Sequence, residues 1–323
     1  MNRRGALVAL SSLVAGCAGK QPLPVVAPSP PLNLGPVTEL FAAAGLDWLV
    51  IMRPSELLRG LGGPLARVLP PANLDKLANH LGFDVRLADS MVVGGYGDTT
   101  LYAVQVAHDG KMAETKFAER LSGDVTRGGE GSRIRRASGL VGKTPRAFAD
   151  LDETVVLYEV GPTGPIKAAV AFAQGKLKRA KPALVAEPLS SLGKRLEDAP
   201  LLAMAPRPPR AGWTRGAHGI LPMASAIGVA ATPEGDALRV RGAALGAWDE
   251  PPTKALESLS ATLGDLTSAP LGRLLGLDRP RVPASYGGDR DAIRFEATLD
   301  ATTLAEGLWA ATSAELGELF GKK

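Results

Sequence analysis

Apolar positions along the chain fall into short runs whose period alternates between helical and extended. From Pro36 to Leu49, Leu40, Phe41 and Ala44 recur at helical spacing, and the strand-length apolar run Trp48–Met52 follows. Ser55 is placed to cap a short helix with Leu57, Leu58 and Leu61 on one face. After Pro70-Pro71, Asn73 is placed to cap a second helix carrying Leu74, Leu77 and Leu81. The stretch from Met91 to Ala107 alternates around a glycine-rich segment, Gly94–Asp98, which predicts a β-hairpin turning there. A helix is expected over Lys111–Leu121, strands near Ser132–Val141 and Thr154–Val160, and a helix opened by Pro165 with Ile166, Ala169, Val170 and Ala173 inward. Strands and helices interleaved in this way predict an α+β fold.

The same order recurs further along. A gapless displacement of 138 residues lays Pro70-Pro71 on Pro208-Pro209, His80 on His218, and Gly97-Asp98 on Gly235-Asp236. The segment TKFAERL at Thr115 then meets TKALESL at Thr253, and Val155 and Leu157 meet Ile293 and Phe295. The closing helices, Pro165–Leu177 and Thr302–Phe320, correspond as well. Most paired positions differ, and the alternative is chance agreement in a chain rich in Ala, Gly and Pro. The shared register of unlike landmarks predicts an internal duplication into two similar halves of β-hairpins and helices, 37–199 and 200–323, packed with pseudo-two-fold symmetry.

The first 36 residues belong to neither half. Arg3 and Arg4 precede an apolar stretch, Gly5–Val14, which is of signal-peptide length and too short for a spanning helix. The segment Val14-Ala15-Gly16-Cys17 resembles the lipobox of bacterial lipoproteins. The resemblance implies cleavage of a signal peptide, residues 1–16, diacylglycerol on the Cys17 thiol and acylation, typically with palmitate, of its new amino group. Ala18, where aspartate would favour inner-membrane retention, implies an outer-membrane lipoprotein facing the periplasm or the cell surface. Residues 17–36 hold prolines at 22, 24, 28, 30, 31 and 36 and read as an extended tether, about 3.1 Å per residue where polyproline-like. Cys17 is the sole cysteine, so the folded part has no disulfide and no thiolate metal site.

Charge narrows the partners. Loss of Arg3 and Arg4 with the signal peptide lowers the formal net charge from +4 to +2, so the pI near 9.2 describes a nearly balanced chain. Two basic clusters, Arg133–Arg136 and Lys176–Lys181, could meet an anionic envelope polymer; the first reads as an exposed strand and the second as the continuation of a helix. No aromatics interleave with them, which argues against a nucleic-acid partner.

Catalytic motifs are weak. Gly142-Lys143-Thr144 lacks the glycine that a phosphate loop needs five residues before Gly142, where Ala137 stands, and Pro145 fits a turn. Gly95-Tyr96-Gly97 joins two strands and is no dinucleotide site. Ser191-Leu-Gly-Lys194 resembles the Ser-x-x-Lys motif of penicillin-binding proteins and serine β-lactamases, without their accompanying motifs, and reads as a solvated helix face. His80, His108 and His218 show no zinc-ligand spacing, so neither metal nor cofactor is expected. The sequence thus predicts a lipid-anchored envelope protein that binds or scaffolds a partner without catalysis. A periplasmic hydrolase using Ser191 and Lys194 is the alternative.

Overall fold

The computed structural model describes residues 31–319 except 69, 130–131, 163, 178–180 and 207–216. The expected signal peptide, Cys17 and the expected tether up to residue 30 lie outside the described residues. The fold is mixed α+β, built on one antiparallel sheet of twelve strands.

A 3-10 turn, Val37–Leu40, leads into β1 (Trp48–Met52). Three helices follow: α1 (Pro54–Gly60), α2 (Gly62–Val68) and α3 (Pro71–Leu81). The hairpin β2 (Ser90–Tyr96) and β3 (Thr99–Gln105) precedes α4 (Gly110–Ala118), and then come β4 (Ser122–Gly128), β5 (Ile134–Val141), β6 (Thr144–Leu151) and β7 (Val155–Val160). Helices α5 (Pro165–Ala173) and α6 (Leu189–Leu196) connect to β8 (Leu201–Ala205). The remainder runs α7 (Ile220–Met223), β9 (Ala224–Glu234), β10 (Ala237–Gly246), α8 (Thr253–Ser268), α9 (Pro270–Leu274), β11 (Val282–Gly288), β12 (Ala292–Asp300) and α10 (Ala301–Leu319).

Strand order across the sheet is β11-β12-β10-β9-β8-β1-β2-β3-β7-β6-β5-β4, every neighbour antiparallel. The strand period of two sends alternate side chains to opposite faces. One face carries the main core, where Leu49, Val92, Leu157, Met204 and Ala230 pack beneath α5, α6 and the Val37–Leu40 turn. The other face carries two smaller cores. Phe83 and Phe117 of α4 cover Val104, Phe148 and Val156 at one end, and Leu259 of α8 covers Ala244 and Ile293 at the other.

Several elements depart from the sequence expectation. Pro54 and Pro71 take the first turns of α1 and α3, so the caps are Arg53 and Pro70, and Ser55 and Asn73 lie inside their helices. The expected helix over Pro36–Leu49 is only the Val37–Leu40 turn. The hairpin turns at Gly97-Asp98, while Gly94 and Gly95 belong to β2. Their reason is packing: a Cβ on Gly94 would lie 2.7 Å from the Phe41 ring, and one on Gly95 2.1 Å from the Trp48 indole, on the opposite face. Lys176 does not continue a helix, because α5 ends at Ala173 and Gly175 takes φ +67°. Strands β4 and β6 are additional to those expected.

Candidate ligand-binding site

Strands β8, β9 and β10 carry small residues on the face that α8 covers, and this leaves space. Ala203, Ala205, Ala244 and Gly242 form a low floor, and the Phe295 ring lies where a Gly242 Cβ would come within 2.1 Å of it. The result is a trough of about 490 Å³ walled by Trp48, Ile227, Val229, Leu263, Leu266 and Phe295. Among its described lining residues only Thr262 and the Trp48 indole bring polar side-chain atoms, and the Thr262 hydroxyl already donates to the Ser258 carbonyl at 2.8 Å. Trp48 and Val229 are each 39 % exposed, so the trough opens to solvent. Its volume lies within the range of small-molecule sites. Among its described lining residues none is charged, and what they offer a ligand is apolar surface, about 25 cal/mol per Å² buried.

One described residue of each basic cluster reaches a common cleft. Arg136 of β5 and Lys176 beyond α5 line one cleft of about 630 Å³, together with Arg127 of β4 and Lys167 of α5. Glu114 is 3.8 Å from Arg127. This juxtaposition needs the β4–β5 pairing and the seat of α5 on the sheet, neither of which the sequence pattern supplies.

Ser191 and Lys194 share α6 but not a contact. The Glu187 carboxylate accepts from the Ser191 amide at 3.3 Å and from the Ser190 hydroxyl at 3.1 Å, and hydrogen bonding by Ser191 holds Glu187 below the usual carboxylate range. Lys194 is exposed, and neither it nor Ser191 lines the trough or the basic cleft. A hydroxyl nucleophile needs its base within hydrogen-bond reach, and this pair lacks that contact.

The histidines stand apart from one another. His80 is in the last turn of α3, and His218 contacts Asp265 at 2.9 Å on the surface. His108 is buried, 3.1 Å from Asp150. Among the described residues no three His, Cys, Asp or Glu side chains are grouped to hold a metal ion. No described helix is long and apolar enough to cross a membrane.

No protein-family model matches the chain, and no curated protein matches it in sequence. Solved structures of the Treponema protein TP0453 do resemble it in fold. Crystal form III is 9 % identical, with a TM-score of 0.50, and the match covers 86 % of this chain and 99 % of that one. Crystal form IV is 8 % identical, also with a TM-score of 0.50, covering 86 % of this chain and 97 % of that one. At such identity the likeness is one of fold alone.

Proposed function

We propose that this protein is an outer-membrane lipoprotein, anchored through lipid on Cys17, that serves as a non-catalytic binding module and takes an apolar ligand in the Trp48–Phe295 trough. The carrying observation is the trough itself. An open apolar surface flanked by small residues is what a binding groove requires, and its described lining is almost wholly apolar. The Arg136–Lys176 cleft supports an anionic envelope polymer as a second partner class.

Hexadecanol, uncharged and apolar, is the probe for the trough. Val229→Arg places a cation on the wall at a position open enough to leave folding intact, and hexadecanol binding is expected to fall about tenfold or more. Equal binding by the variant and the parent, with unchanged circular dichroism, would overturn the trough as the site. For the anchor, Cys17→Ser should abolish lipid labelling and shift the protein from membranes to the soluble fraction. Unchanged membrane partition would refute lipidation.

We also propose that the halves arose by duplication. Support comes from element spacing: β10 begins at Ala237 and β11 at Val282, each 138 residues after the start of β3 at Thr99 and β6 at Thr144. Superposing 90–160 on 224–300 should bring α4 onto α8 and β7 onto β12; a fit that pairs other elements would refute it.

A further inference from the structure

A second cavity lies on the same sheet face as the trough, at the other end, and its chemistry is different. It occupies about 710 Å³ between the end of α3, the end of α4 and strands β2, β3, β6 and β7. Phe83, Met91, Val104, Phe117 and Val160 supply apolar wall. Two arginines enter it as well.

Arg146 sits on β6 in register with Gly139 and Val160, on the face that bears Phe148 and Tyr158. Its Nη1 is buried without a hydrogen-bond partner among the described residues. A guanidinium N–H buried without an acceptor is costly, and among the described residues none faces Arg146 Nη1. The Tyr158 hydroxyl is buried in the same cavity beside the Arg120 guanidinium, which leaves its own O–H free to donate. Arg120, after α4, holds its guanidinium carbon 5.8 Å from the centroids of both Phe117 and Tyr158, and its Nε donates to the Lys116 carbonyl at 3.1 Å. Glu159 borders the cavity, but its side chain alternates to the other face of β7, where its carboxylate accepts from the Gly164 and Ile166 amides at the start of α5. His80 reports the local field: burial first, then the charges of Arg120 and Lys116, hold it below its ordinary pKa.

We propose that this cavity binds an amphiphile with an acidic oxyanion head, its head held by Arg146, Arg120 and the Tyr158 hydroxyl and its apolar body lying along Phe83, Met91 and Val160. The proposal deepens the binding-module reading and rests on it, but at a site separate from the trough. Guanidinium and phenol donate where the oxyanion accepts, and the desolvated aromatic surround strengthens those charge-assisted bonds. Carboxylate and phosphate heads share this chemistry, as fatty acids and lysophospholipids respectively.

The test uses the full chain carrying Val229→Glu, whose carboxylate disfavours apolar and anionic probes alike in the trough, titrated with palmitate, hexadecanol and lysophosphatidate. Palmitate is expected to bind about tenfold or more tighter than hexadecanol, the alcohol of equal chain length. Adding Arg146→Met should remove that preference, and Arg146→Lys should restore part of it. Arg120→Gln, in a half-buried position, reads the same preference should Arg146→Met fail to fold. Tighter, Arg146-dependent binding of lysophosphatidate supports the site and assigns a phospholipid source; Arg146-dependent binding of palmitate alone supports it and assigns a fatty acid. Equal binding of palmitate and hexadecanol, a preference indifferent to Arg146 and Arg120, or no binding of any probe overturns the proposal. Hexadecanol binding in the parent chain is read separately, so failure here leaves the trough standing.

Discussion

His108 is flanked by acceptors on both sides of its ring. Nδ1 lies 2.9 Å from the Val106 carbonyl and Nε2 3.1 Å from Asp150, and both side chains of the pair are buried. The Val106 carbonyl takes the Nδ1 proton, and Nε2 faces the Asp150 carboxylate at ion-pair distance without hydrogen-bond alignment, a setting that favours the imidazolium through charge. Burial pushes the His108 pKa down, but the Asp150 contact, the Val106 carbonyl and the nearby charges of Asp150 and Glu153 outweigh it, and the net direction is up. Arg135 stands 3.9 Å from Asp150 and completes the charge balance. A raised histidine pKa contributes stability that is whole below about pH 6.5 and is lost as pH rises through the folded value. His108→Gln is therefore expected to cost about 2 kcal/mol near pH 5.5 and clearly less near pH 9 in urea denaturation. A cost that is flat or grows with pH would show that His108 is neutral in the fold. None of this was legible in the sequence. His108 shows no ligand spacing, and Asp150 becomes its partner only through the β3–β7–β6 pairings, whose middle member pairs Asp150 with Val156.

Among the elements, α5 shows how a helix start is held by the sheet. Glu159 is 1 % exposed on β7, and its carboxylate accepts from Ile166 at 2.7 Å and Gly164 at 3.2 Å, where orphan helical N–H groups need acceptors. No side chain caps α5 from its own N-cap, Gly164, so Glu159 does so from a neighbouring strand. Glu159→Ala should destabilise by about 1–2 kcal/mol, the cost of a lost cap, and Glu159→Gln by less because an acceptor remains. Burial raises the Glu159 pKa against the pull of those amides and Lys167. The folded state then holds the proton more tightly than the unfolded one. Wild-type stability from this group falls as pH rises from about 4.5 through the folded value, and Glu159→Gln should gain on the parent over that window. Equal stability of the Ala and Gln variants would show that the carboxylate does not cap α5.

Elements were legible where their own pattern carried them. The β2–β3 hairpin alternates, and Pro165 with its inward Ile and Val marks α5. Strand β4 is SGDVTRG, an exposed edge without an apolar face, and β6 opens on Thr144-Pro145, which reads as a turn. Pairing with β5 makes both of them strands. Trp48 was legible as part of a strand but not as the wall of a trough, because the floor beside it comes from β8, β9 and β10.

Across the whole molecule, the halves expected from the sequence meet within one sheet. Strand β1 pairs with β8 from Leu49↔Met204 to Met52↔Leu201, and Arg53 reaches Asp198 at 2.8 Å across the same seam. The main core draws Leu49, Val92 and Leu157 from one side of the Ala199 boundary and Met204, Ala230 and Leu245 from the other. Cutting there would bare the unpaired edges of β1 and β8 and expose apolar surface on both pieces. The trough would be split too, since Trp48 comes from one side and Phe295 from the other. The chain is therefore expected to unfold in one cooperative step, and fragments 31–199 and 200–319 to show no cooperative transition alone but to regain one when refolded together. Two resolved transitions in calorimetry, or either fragment folding alone, would make the halves autonomous domains and the trough a groove between them. One transition, with hexadecanol raising its midpoint, would tie the binding surface to the cooperative unit, because a ligand that binds only the folded chain stabilises all of it.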